Sequence, residues 1–180
     1  MKRLLSIGLV PQSTWYDNVR SRVTQKTWKD IRYTFVKGQC QYCGYAKGKL
    51  FCHEVWRYNV MKGGRKREYV QELTGFEAVC FLCHSVHHFG LAQVMVREGR
   101  LDMSELIEHY CRVNGCTKED FKHDLEEALL DWTEKNRHKW TIDVSYLDSL
   151  NIVGVRAWMK THPTDVARIK EGQRDVVQRN

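Results

Sequence analysis

The chain has 180 residues, of which 42% are hydrophobic and 28% charged, enough apolar content for a packed core and too much for a disordered polymer. No run approaches the roughly 20 apolar residues that a helical membrane span requires. The formal charge of +7 favours an acidic partner, nucleic acid being the usual one.

The first residues combine a basic start with a short apolar run. Ser6 and Gly8 interrupt that run, and no small-residue cleavage site precedes Pro11, so a secretory signal is not expected and the expected compartment is the cytoplasm. Residues 1–23 read as an extended arm with Trp15 and Tyr16 anchored in the core. Thr24 is placed as an N-cap, and Trp28, Ile31 and Phe35 follow at helical spacing until Gly38 ends the segment. Residues 40–49 read as a cysteine knuckle and turn. A strand is expected from Leu50 to Tyr58 and its partner over 68–73. Between them, Lys62-Gly-Gly-Arg-Lys-Arg67 forms a glycine turn carrying Lys62, Arg65, Lys66 and Arg67.

Cys80-Phe-Leu-Cys83 leads into His84-Ser-Val-His-His88, read as the start of a short helix. Helices are then expected over 91–98 and 103–113. A third follows Thr117, where Asp120 completes a capping-box pattern and Phe121, Leu125, Ala128, Leu129 and Trp132 share one face. Trp140 to Leu147 alternates as a strand would, and the remainder is basic, with Pro163 interrupting any helix there. The segments expected are thus an arm and helix (1–39), a metal-binding core (40–90), a helical segment with a terminal strand (91–150) and a basic tail (151–180).

Seven cysteines cannot all pair within one chain. Four of them form two C-x-x-C clips, Cys40/Cys43 and Cys80/Cys83. Two intervening residues let both sulfurs of a clip turn onto one ion, and four thiolates suit tetrahedral zinc in a reducing compartment. The second clip opens a helix, whose N-terminal amides favour thiolate charge. Knuckle, hairpin, then a helix with the last two ligands is the order of a treble clef, and the fold class expected is α+β. Cys111 and Cys116 are expected as small buried hydrophobes, and His109, His123, His138 and His162 in surface or cap roles.

Further ligand-type residues surround the clips: Cys52, His53 and Glu54 on the first strand, His84, His87 and His88 on the helix. His84 and His88, four apart, share a helical face. A strand histidine facing a helical one suits a metal-assisted hydrolytic centre, and equally suits a second structural zinc site.

Cys40-x-x-Cys43, Cys52-His53-Glu54-Val55-Trp56 and Cys80-x-x-Cys83-His84 resemble the HNH (His-Me finger) endonucleases, and more closely a group of small bacterial and phage HNH-like proteins. The likeness extends from Val10-Pro11 and Trp15-Tyr16-x-Asn18-Val19-Arg20-Ser21 to Trp140-Thr-Ile-Asp-Val-Ser-Tyr146. It implies a ββα-metal core, DNA as partner, His53 as general base and His84, with His88, as holder of a magnesium or manganese ion. The chain departs from the family twice. Cys52 stands where an acid usually helps hold the ion, and Gly75 stands where the middle asparagine falls. Glu54 is the candidate replacement for the acid. Since a thiolate prefers zinc to magnesium, Cys52, His53, His84 and His88 also read as a closed second zinc site. Two functions therefore stay open: a metal-dependent endonuclease, and an inactive zinc-stabilised module that binds DNA or a protein partner.

Overall fold

The structure is a computed structural model that describes residues 3–63 and 66–156. Its regular elements, in chain order, are α1 (Val19–Arg22), α2 (Gln25–Phe35), β1 (Phe51–Gly63), β2 (Lys66–Val79), α3 (Phe81–His87), α4 (Phe89–Arg97), α5 (Met103–Asn114), α6 (Lys118–Lys135) and β3 (Thr141–Asp143). The class is α+β, with one three-stranded sheet in the order β1-β2-β3. Asn59 bonds Glu72 and Thr74 bonds the Val55 carbonyl, so β1 and β2 run antiparallel as a hairpin. β3 joins β2 in parallel, Val70 opposite Thr141 and Glu72 opposite Asp143. No helix among the described residues is long and apolar enough to cross a membrane.

Two compact units make up the chain, each assembled from three separated stretches instead of consecutive segments. The first comprises Met1–Gln12, Val36–His53 and Glu77–His138; the second comprises Ser13–Phe35, Glu54–Phe76 and Lys139–Asn180.

In the first unit, Leu5, Leu50, Val79, Val86, Phe89, Leu106, Tyr110 and Phe121 form the core, and the cysteines of both clips lie in or against it. Cys111 and Cys116 pack against this core half-buried. α5 begins at Asp102, whose carboxylate accepts the Ser104 amide, and ends at Gly115, which takes the left-handed conformation (φ +60°) that stops helices at glycine. Thr117 and Asp120 cap α6 reciprocally, as their spacing predicts. The apolar face expected for α6 is only partly covered. Phe121 is buried, whereas Leu129 is exposed.

In the second unit, Thr24 caps α2 through its hydroxyl and the Thr27 amide. Val19, Ile31, Leu73, Phe76, Ile142, Val144, Leu147 and Val155 are buried there. Trp140 is buried too, edge-on to Tyr58 and Tyr69. Two expectations are corrected in this unit. Trp15 and Tyr16 are 52% and 88% exposed, so they do not anchor the arm. The strand expected over 140–147 pairs only over Thr141–Asp143, since Ser145–Ser149 turns into a 3-10 helix after Asp143 accepts the Ser145 amide. At the start of the stretch expected as a basic tail, Val155 is fully buried and the Gly154 carbonyl accepts from Thr27. The rest of that tail, from residue 157, lies outside the described residues.

Candidate metal centre

Each cysteine clip is set by a local backbone device. Around the first, the Cys40 amide bonds the Tyr45 carbonyl at 2.9 Å and the Gly44 amide bonds the Cys40 carbonyl at 3.0 Å. Gly44 turns this knuckle with φ +72°, a region most side chains avoid. Gln41, inside the clip, fastens it to the end of β2 twice: its amide donates to the Ala78 carbonyl, and its side-chain oxygen accepts the Ala78 amide. The second clip is the cap of α3, where the Cys80 sulfur accepts the Cys83 amide at 3.4 Å.

These devices bring the sulfurs of Cys40, Cys43, Cys80 and Cys83 within 4.8 Å of one another. Cys43 and Cys80 are 3.5 Å apart. A sulfur tetrahedron around zinc has edges of roughly 3.8 Å, given a Zn–S bond of about 2.3 Å, so the donor set fits that ion. Negative charge shared among the sulfurs goes first to Cys80, which the Cys83 sulfhydryl stabilises; Cys83 is pushed up by the same contact and by burial. Burial also raises the Cys43 thiol, to about 11. A divalent cation removes this competition, because all four thiols then lose their protons to it.

His109 belongs to this centre, although its position in the sequence pointed to a surface role. It is 4% exposed and its Nε2 lies 3.1 Å from Cys83 Sγ. Its Nδ1 lies 3.0 Å from the Arg112 guanidinium, which has only donors to offer. Nδ1 is therefore the acceptor, the proton sits on Nε2, and the imidazole donates to the Cys83 sulfur. Residues 109 and 112 lie one turn apart on α5, more than twenty residues from the clip. Their helical spacing alone gave no sign that this face meets Cys83.

The second group is made of imidazoles. One ring nitrogen each from His53, His84 and His88 lies within 4.8 Å of the others. His53 comes from β1. His84 and His88 come from α3 and its C-terminal boundary, where the His88 amide bonds the His84 carbonyl at 3.0 Å. His87 joins the group by stacking on His53, with centroids 4.3 Å apart and planes 15° apart, and Tyr42 packs against it at a tilt, with centroids 4.8 Å apart. Burial keeps these rings neutral, with neighbouring imidazoles adding to it at His53, His84 and His87: His84 falls to about 3, His87 to about 4, and His53 and His88 also shift down. His53 Nδ1 and His87 Nε2 are buried and find no hydrogen-bond partner among the described residues.

The other expected site residues are placed elsewhere. Cys52 is not part of the imidazole group, because adjacent strand residues point to opposite faces. Glu54 lies in the second unit, where its carboxylate accepts the first amides of α1, Val19 at 3.2 Å and Arg20 at 3.1 Å. Burial still pushes its carboxyl up. Gly75 lies in β2 with open space where a side chain would start. Lys62 falls within β1, Lys66 opens β2 and Arg67 is exposed, while Arg65 lies outside the described residues. A third acidic group, His123, Asp124 and Glu127 on α6, has Asp124 already bonded by Arg3 and Tyr110.

No family model, no curated protein and no solved structure matches this chain.

Proposed function

We propose that the chain is an HNH-like, zinc-scaffolded nucleic-acid-binding protein with a metal-dependent phosphodiesterase centre at His53, His84 and His88. One observation carries the reading: a strand imidazole faces two helical imidazoles on the helix that begins at the second cysteine clip. Knuckle, hairpin and helix follow one another as in a treble clef, which supports the same frame. A divalent ion at the helical histidines would supply charge to phosphate oxygens in the transition state. Neutral His53 has a free lone pair with which to accept a proton from the attacking water. Burial of its ring disfavours the protonated form. Lys62, Arg65, Lys66 and Arg67 would meet the backbone phosphates, each adding to a salt-sensitive affinity.

A second reading has its own support. Among the described residues no carboxylate joins the imidazole group, and Glu54 is occupied at α1, so the donor set is poor for magnesium or manganese. In that reading the chain binds DNA or a protein partner without cutting.

Incubation of supercoiled plasmid with the protein and magnesium, manganese or zinc separates the two. Nicking that disappears in His53→Ala, with the zinc of the four cysteines and the helix signal retained, supports the enzyme. Salt-dependent DNA retention without nicking under any of the ions supports the binding module. Absence of both activities sinks the nucleic-acid reading.

A further inference from the structure

The break between α3 and α4 falls at His88, whose backbone leaves the helical region (φ −118°, ψ 51°). A helix broken there frees backbone groups on both sides, and the N-terminal arm takes up two of them. The Gly8 amide donates to the Val86 carbonyl at 3.0 Å, and the Phe89 amide donates to the Gly8 carbonyl at 3.0 Å. Gly8 lies flat against the intervening peptide, since a Cβ there would sit 2.1 Å from the His87 carbonyl oxygen. The arm is itself fixed: Leu5 is fully buried, and its backbone amide and carbonyl both bond the Asn114 side chain. Gly8 therefore splints the backbone of the two residues, His87 and His88, that end the imidazole cluster.

We infer that His53, His84 and His88 form an all-imidazole site for a borderline divalent ion such as zinc or cobalt, with His53 as a ligand and Gly8 as its positioning residue. The inference does not require nucleic acid, and it replaces the general-base role of His53, since a neutral imidazole bound to an ion through one nitrogen carries its proton on the other. Three neutral nitrogen donors are the complement that open zinc sites use, in contrast to the four of closed structural ones. Hard ions are disfavoured because the group contributes no oxygen. The buried Nδ1 of His53, with no hydrogen-bond partner among the described residues, is an independent sign of a missing ligand, since an unmet polar atom is costly inside a protein. His87, stacked on His53, limits rotation of that ring. The expected ion thus differs from the magnesium or manganese that the family resemblance implies.

The test uses the full chain reconstituted with zinc or with cobalt, followed by dialysis and metal analysis. Wild type should hold two ions, one giving the intense sulfur-to-cobalt absorption of a thiolate site and one without it. His53→Ala, His84→Ala and His88→Ala should each retain one ion and the full sulfur absorption, which also reports that the first unit is folded. Excess magnesium should not displace the second ion. Gly8→Ala should behave as the histidine variants do, because the added methyl displaces the His87 peptide. A wild type that holds only the thiolate ion overturns the site. A His53→Ala protein that keeps both ions removes His53 from the ligand set. A folded Gly8→Ala protein that keeps both ions removes the role of the arm. Should Gly8→Ala fail to fold, the histidine variants decide the site alone.

Discussion

Cys83 and His109 show how a single contact extends a candidate metal site beyond its four sulfurs. The His109 Nε2–H donates to the Cys83 sulfur, and Arg112 fixes the tautomer by donating to the opposite nitrogen. Groups that orient and stabilise a metal ligand in this way typically change metal affinity by about 10–100-fold when removed. His109→Ala should therefore weaken zinc binding by about that factor, measured by competition with a chromophoric chelator. Unchanged affinity would show the contact to be packing only. Cys83→Ser should do far more, removing a ligand whose ion supplies much of the folding energy. Its expected signature is loss of zinc with loss of cooperative thermal unfolding by circular dichroism. The cysteines were legible because their spacing is itself a geometric requirement of tetrahedral binding. His109 was not, since a histidine on an amphipathic helix carries no mark of the sulfur it will meet.

At the scale of elements, the helix boundaries follow short-range chemistry and were readable. Thr24, Asp102 and Thr117 each cap the helix they precede, and Gly115 ends α5 in the conformation glycine favours. Thr117→Ala should lower stability by about 1 kcal/mol in urea denaturation, the usual cost of an N-cap hydroxyl. No change would mean that Asp120 alone satisfies the first turn. Gln41 makes a similar test of the knuckle: Gln41→Ala leaves the Ala78 amide without its acceptor and should cost about 1–3 kcal/mol. The strands were less legible. β1 and β2 extend well past the apolar alternation that announced them, because hairpin pairing continues once register is set. β3 is shorter than its alternation suggested, because pairing with β2 is what defines it and only three residues reach.

For the whole molecule, acid is the informative variable. His53, His84, His87 and His88 are held neutral in the folded chain, chiefly by burial, while in the unfolded chain each gains a proton near pH 6.5. Lowered folded pKa values mean that the unfolded state binds more protons. Stability should therefore begin to fall as pH drops through about 6.5 and keep falling until the folded-state values are reached. Each such group adds at most about 1.4 kcal/mol per pH unit to the slope. Metal at these nitrogens acts in the same direction, since protons compete with it. Urea midpoints between pH 7.5 and about 5 should fall in wild type and fall less steeply in His84→Ala. A wild-type midpoint independent of pH over that range would contradict the burial of the cluster.

Composition, spacing and capping patterns picked out the four cysteines that cluster, the order of the main elements and the α+β class, because each rests on contacts between residues close in the chain or on the spacing that a tetrahedral ion demands. Other features waited on tertiary structure. His53 rather than Cys52 joins the helical imidazoles, since the pleat of a paired strand chooses which of two neighbours faces a given element. Glu54 became a cap for α1 and Gly8 a splint at His87 through contacts with residues tens of positions away. Local pattern names the groups able to do chemistry; long-range packing decides which of them meet.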